Sequence, residues 1–262
     1  MVKRVRAGLI EEAIRGNDPI GLSRAVMKGS ARIVLANGVP AIHAAVLKND
    51  PLATGILLRG GANANVRNSA GDTPLHTAAE KNLVGVAIIL LENGANPKAL
   101  SSRGDTPLHR AAQADSRDVL IAMLSRKVNP SPKNKLSGET PLHIAARHDA
   151  VQAAEVLLTY GASVDARDSE MQTPLMEAAQ TGSAAAIRLL LNHGARVDLT
   201  DSEGRSALIW AATKGDWPKI VGRIIERGAN INAADKTGNT ALSRAQALGH
   251  AKTSKILQTA SS

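Results

Sequence analysis

Histidine is the residue type here that most invites a chemical reading. The chain has 262 residues and seven histidines. Four of them, His43, His76, His109 and His143, recur at intervals of 33, 33 and 34 residues. An imidazole can ligate a metal or move a proton near neutral pH, but both tasks need unlike residues converging on one point. A fixed period of this length instead spreads equivalent side chains along a line, about 10 Å apart per packed helix. The other arrangements fail separately. His143 and His148 are five apart, which on a helix turns them to different faces, and no His-Glu-x-x-His run occurs. No Gly-rich loop ending in Lys-Ser or Lys-Thr offers a phosphate cradle, and no Gly-x-Ser-x-Gly elbow offers a nucleophile. Cysteine is absent, which removes disulfides, thiolate nucleophiles, Fe–S clusters and Cys-type zinc sites. Glu11-Glu12 reads as solvated helix surface. The chain is therefore expected to be no enzyme and to use no metal or cofactor.

The period belongs to the whole chain. Pro40-Ala41-Ile42-His43, Thr73-Pro74-Leu75-His76, Thr106-Pro107-Leu108-His109, Thr140-Pro141-Leu142-His143, Thr173-Pro174-Leu175-Met176, Ser206-Ala207-Leu208-Ile209 and Thr240-Ala241-Leu242-Ser243 align in register. Thr suits a helix N-cap, where its hydroxyl accepts an orphan N–H, and Pro suits the next position, where a missing N–H costs nothing. A short first helix follows, with Ala78-Ala79, Ala111-Ala112, Ala145-Ala146, Ala178-Ala179 and Ala211-Ala212 allowing close packing. A second helix carries Leu57-Leu58, Leu90-Leu91, Leu157-Leu158, Leu190-Leu191 or Ile224-Ile225 and stops at Gly61, Gly94, Gly161, Gly194 or Gly228, each suited to a left-handed cap. The polar stretch leading to the next Thr holds Gly71, Gly104, Gly138, Gly204 or Gly238 at a turn position. Trp210, Trp217 and Tyr160 are the only aromatic residues, so the core must be built from Ala, Leu, Ile and Val.

These motifs resemble the ankyrin repeat, and the resemblance covers nearly the whole chain. It implies an all-α repeat solenoid of about eight units, each a helix-turn-helix plus a β-hairpin loop. Residues 1–262 then form a single ankyrin-repeat domain, with a degenerate N-terminal capping repeat (1–38; helices over Leu9 to Arg15 and Ile20 to Lys28), six internal repeats (39–238) and a C-terminal capping repeat (239–262). The C-terminal cap carries Lys252, Thr253, Ser254, Lys255 and Gln258, a polar outer face suited to a terminal unit. The resemblance also implies that the motif histidines hydrogen-bond across neighbouring units. Two departures stand out. Lys127 replaces a terminating Gly and Asn129 to Lys135 holds one extra residue, while Trp217-Pro218 adds a residue between two helices.

A formal charge of +9 raises the possibility of nucleic-acid binding, and its distribution argues against it. The termini are basic, including Lys3, Arg4 and Arg6, whereas residues 139–204 hold four arginines and no lysine against ten carboxylates. Ankyrin proteins grip partners with hairpin tips and the exposed face of the first helix, which line a groove. Here those positions carry Lys81, Arg103, Arg110, Arg147, Arg205, Lys214, Lys236 and Arg244 against Asp72, Glu80, Asp105, Glu139, Glu170, Glu177 and Glu203. A groove following a phosphate backbone would be lopsidedly basic and interleaved with stacking aromatics, and this one is neither. The excess charge falls on residues such as Arg126, Lys133, Lys219 and Arg223, which read as solvated surface.

The resemblance thus implies a non-catalytic protein-protein interaction module that binds a folded partner in its concave groove. Trp210, Arg110, Arg147 and Arg205 are the expected anchors. Asp105, Glu139 and Glu177 set register, and Arg103, His148 and Lys214 complete the contact set. Burial of Trp210 against its own neighbours is the alternative. One specialisation is an inhibitor or immunity protein that occludes a partner enzyme, and the other is a scaffold without inhibition. The absence of Cys, the Ala-rich helices and the Thr-Pro-Leu-Met variant are similar in style to bacterial members. Val84 to Leu91 is too short to span a bilayer and Met1 to Arg6 is no secretory leader. The expected state is a monomer when alone, in the cytoplasm by default or exported after loss of a leader.

Overall fold

The computed structural model describes residues 2–27, 33–35 and 38–260, with side chains from Val5 onward. Lys28 of the expected second helix and the side chains of Lys3 and Arg4 lie outside that description. The chain divides into two compact units, one ending at Asn129 and the other beginning at Pro130.

Unit 1 consists of helix pairs: α1 (Val2–Arg15) with α2 (Pro19–Met27), α3 (Ala41–Leu47) with α4 (Pro51–Arg59), α5 (Pro74–Glu80) with α6 (Val84–Glu92), and α7 (Pro107–Gln113) with α8 (Arg117–Leu124). Unit 2 repeats the plan with α9 (Pro141–Arg147) and α10 (Val151–Thr159), α11 (Pro174–Thr181) and α12 (Ala184–Asn192), α13 (Ala207–Lys214) and α14 (Pro218–Glu226), and α15 (Ala241–Ala247) and α16 (Ala251–Ala260). Within each unit, first helices pack on first helices and second on second, so every pair is one slice of a two-layer stack. α1 starts at Val2, well before the expected Leu9, because Val2 to Gly8 contains no proline to stop the helix running backward.

The motif accounts for each slice. Thr73, Thr106, Thr140 and Thr173 take extended N-cap conformations with Pro at the first helical turn. In three of them the histidine completes the cap. His76 Nδ1 accepts the Thr73 N–H at 3.1 Å, and its Nε2 donates to the Asp105 carbonyl of the next repeat at 3.0 Å. His143 does the same between Thr140 N–H (3.1 Å) and the Gln172 carbonyl (3.1 Å). His109 Nδ1 accepts the Thr106 N–H at 3.1 Å, and His43 Nε2 donates to the Val66 carbonyl at 3.0 Å. An imidazole that accepts at Nδ1 and donates at Nε2 is the neutral Nε2–H tautomer. Met176 and Ile209 occupy this slot next and cannot reach back, leaving only the hydroxyl half of the cap, Thr173 Oγ1 to Met176 N–H and Ser206 Oγ to Ile209 N–H, each at 3.3 Å.

The core is aliphatic. Leu75, Leu108, Leu142 and Leu175 of the motif are fully buried, and so are Leu57, Leu90, Leu157, Leu190 and Ile224 of the second helices, each stabilising the stack by roughly 2 kcal/mol. The connecting segments form tight turns, with isolated bridges Val34↔Pro40, Thr200↔Ser206 and Ala234↔Thr240 among the described residues. From Asn68 onward a small polar side chain closes each turn by taking backbone donors that a strand ladder would otherwise take. Asp168 Oδ1 accepts from Glu170 and Gln172 N–H, and Asp201 Oδ1 accepts from Glu203 and Arg205 N–H. At the longer tip, Asn134 Oδ1 accepts from Leu136 and Ser137 N–H, and the Gly138 N–H reaches back to the Asn134 carbonyl at 3.0 Å.

Both departures have structural consequences. Lys127 holds the left-handed conformation that glycine holds elsewhere, at φ 59°. The Trp217 ring lies against Gly182 and Gly215, and a Cβ on Gly182 would meet it at 2.7 Å. The inserted tryptophan thus fills a notch that two glycines leave open.

Candidate protein-binding clefts

Two polar clefts lie where turn tips meet first helices, one in each unit. In unit 1, Asp72, Glu80, Arg103, Arg110 and Gln113 line a space of about 560 Å³. Arg110 sits in the helix turn after the Thr106 cap, which aims its guanidinium at two successive tips. It lies 3.4 Å from Asp72 Oδ1 and, through Nε, 3.6 Å from Asp105 Oδ2, with its side chain only 10% exposed. Ser101 Oγ takes the Arg103 and Asp105 N–H groups at 3.2 Å each, and this closes the tip that presents them. Arg103 is exposed at the rim.

In unit 2, Glu139, Arg147, Asp168, Glu170, Gln172, Glu177, Gln180 and Lys214 line about 650 Å³. Arg147 pairs with Glu139 and, at 3.1 Å through Nε, with Glu177. Burial raises the Glu177 carboxyl above its ordinary pKa, Arg147 pulls it down, and Asp168 and Glu170 push it up again. Gln180 Nε2 donates to Gln172 Oε1 at 2.7 Å, and Ser137 Oγ donates to Glu139 Oε2 at 2.8 Å. The walls are therefore fixed by their own hydrogen bonds.

Trp210 stands beside this cleft and is only 7% exposed. Its Nε1–H donates to Asp201 Oδ2 at 3.0 Å, Arg205 lies over the ring at 4.1 Å from its centroid, and Lys214 lies at 5.3 Å. Arg205 Nε donates to the same Asp201 oxygen at 2.9 Å. The indole is thus a platform that holds Arg205 and Lys214, the covered arrangement that the sequence left open, and its cations are what face outward. Asp235 and Arg244 repeat the pairing at 2.7 Å. Burial works to raise the Asp235 carboxyl, but hydrogen bonds from Thr237, Arg244 and Asn239 hold it well below the usual range.

Of the expected contact residues, Arg103 and Arg110 line the first cleft, with Asp105 behind Arg110. Glu139, Arg147, Glu177 and Lys214 line the second, flanked by Arg205 and Trp210. His148 is the exposed C-cap of α9 and lines neither. The column of turn acceptors, Asn68, Ser101, Asn134, Asp168, Asp201 and Asp235, was not read from the sequence. Its signal was available as a small polar residue three or four positions before the tip glycine or its replacement, Met171. Among the described residues, no group of histidines and carboxylates could hold a metal ion, and no helix is long and apolar enough to cross a membrane.

A family model described as ankyrin repeats in three copies matches residues 14–101, 42–134, 120–201 and 193–261. No curated protein matches. Among solved structures, the crystal structure of the ankyrin repeat domain of Bcl-3, described as a unique member of the IkappaB protein family, is similar with a TM-score of 0.74 at 22% identity, covering 83% of this chain and 97% of that one. Its identity is low enough that the likeness speaks to fold. The family matches extend from residue 14 to residue 261, and the chain belongs to the ankyrin-repeat family.

Proposed function

We propose that this protein is a non-catalytic module that binds a folded partner protein through the two clefts and, by doing so, covers the partner's working surface. Ankyrin repeats are generally protein-protein interaction modules. The observation that carries the reading is the state of the cleft side chains. Arg110 and Arg147 in the clefts, Arg205 beside the second and Arg244 farther along unit 2 are all held in ion pairs or hydrogen bonds with carboxylates of the turn tips or first helices. Side chains already fixed lose little freedom when a partner docks, so the interface is preorganised. Mixed charge then sets register and rejects mismatched surfaces more than it adds raw affinity.

The test uses rim residues that the fold does not need. Arg103→Glu with Lys214→Glu changes two exposed positions, and binding to the purified partner should weaken about tenfold or more. Unchanged binding with both variants folded refutes the assignment of the clefts. An assay of the partner's own activity separates the two specialisations. Loss on saturation supports occlusion, and full retention makes the protein a scaffold.

A further inference from the structure

The second-helix layer of unit 2 carries its charge in another state. Three of its helices, α12, α14 and α16, hold Arg188, Lys219, Arg223, Lys252 and Lys255 against Glu226 alone. Between α12 and α14, Arg188, Lys219 and Arg223 rim a cleft of about 300 Å³. Its remaining lining is Ala184, Ala185, Ile187 and Ile220, and no carboxylate contributes. Among the described residues these three cations make no ion pair and no hydrogen bond, and all three are exposed. This contrasts with the paired arginines of the first-helix layer. The space exists because α12 opens on two alanines where α10 has Val151-Gln152 and α14 has Pro218-Lys219.

Unpaired cations around a small aliphatic floor complement one kind of ligand. We propose that the α12–α14 face is a second docking surface, for a partner protein segment in which carboxylates flank an aliphatic side chain. The aliphatic group fills the floor over Ala184, Ala185, Ile187 and Ile220. The carboxylates meet Arg188 and Arg223, whose planar guanidinium groups donate paired N–H groups to them, and Lys219 as a point charge. A nucleic-acid backbone fits less well. It would leave the aliphatic floor uncovered and find no stacking ring there, since no aromatic residue lines this cleft. An anionic membrane fits less well too. The exposed large apolar side chains of unit 2 are Leu136, Tyr160, Met171 and Leu248, none of them on α12 or α14 to insert.

The experiment is fluorescence anisotropy on the full chain with three labelled peptides: Glu-Glu-Leu-Glu-Glu, its Gln-Gln-Leu-Gln-Gln counterpart and Glu-Glu-Gly-Glu-Glu. At about 0.05 M salt the first should bind about tenfold more tightly than either control and release as salt is raised. Arg188→Gln with Arg223→Gln should remove about tenfold of that affinity, and Ala184→Leu, which fills the floor, should reduce it to the level of the glycine peptide. Arg103→Glu with Lys214→Glu should leave it unchanged, which keeps this surface distinguishable from the first-helix clefts. All the positions are exposed, and circular dichroism confirms folding. Equal binding of the glycine peptide, or full binding by the double glutamine variant, overturns the proposal. So does tighter binding of a DNA duplex, or of vesicles of phosphatidylserine and phosphatidylcholine, at the same residues.

Discussion

Acid should unfold this protein through its helix caps before it reaches the carboxylates. His109 accepts the Thr106 N–H at Nδ1, so a proton arriving there would set two donors against each other in a site where His109 is only 2% exposed. Burial, above the partly offsetting influence of Asp105 and with Arg110 acting the same way, pushes the imidazole down to about 4 from an ordinary 6.5. The unfolded chain takes up the proton first, so stability is complete above pH 6.5, falls as pH drops through the interval between 6.5 and about 4, and levels off below it. Between about pH 7 and about pH 4.5 the loss from His109 alone works out at about 2 kcal/mol. His43 and His76 are lowered by burial as well and act in the same direction. Glu177 runs oppositely, since its raised carboxyl favours the fold as pH falls toward its window, and so a bare wild-type titration mixes the two signs. His109→Gln separates them. Gln at the third helical position can still reach back to the N-cap N–H but does not titrate in this range. Urea unfolding at both pH values should show the variant losing about 2 kcal/mol less than wild type. Equal losses would refute the capping argument.

Arg147→Gln should destabilise unit 2 by about 2 kcal/mol because Glu177 is left buried without its partner, and adding Glu177→Gln should recover most of that loss in urea titrations. Gly182→Ala forces a side chain onto a backbone at φ 74° and into the Trp217 ring. A loss of about 2 kcal/mol and a shifted tryptophan emission are expected. Trp210→Phe keeps a ring beneath Arg205 but removes one of the two donors to Asp201 Oδ2, leaving only Arg205 Nε, and should cost about 1 kcal/mol in thermal or urea unfolding. Asp235→Asn should lower stability by about the same amount throughout pH 6.5 to pH 4 and leave the slope with pH there unchanged, since the lowered Asp235 carboxyl contributes until pH falls below 3.8, beneath the histidine window.

What could be read from residues in order, and what could not, divides at the reach of a side chain. Helix starts, aliphatic core positions and glycine caps are decided within a few residues of themselves. Thr106, Pro107 and Gly104 meant the same thing in the sequence as in the structure. The residue following the motif histidine behaves differently. Thr77, Arg110, Ile144, Glu177, Trp210 and Arg244 share one slot with no common chemistry, and three of them, Arg110, Glu177 and Trp210, are among the contact residues expected from the sequence. The structure shows that Arg110, Glu177 and Trp210 are buried, each paired with a group that lies elsewhere in sequence: Asp72 38 residues away for Arg110, Asp201 9 residues away for Trp210, and Arg147 for Glu177. A buried charge can differ from repeat to repeat only if its partner differs with it, and that compensation is invisible in a single column. Trp217 makes the same point in another form. It looked like an addition to a loop, and its meaning depends on Gly182 and Gly215 having no side chains. The cleft walls of such a stack are therefore set by pairs spanning adjacent repeats, which is why exchanging one repeat for another with a perfect motif would preserve the fold and still break the cleft.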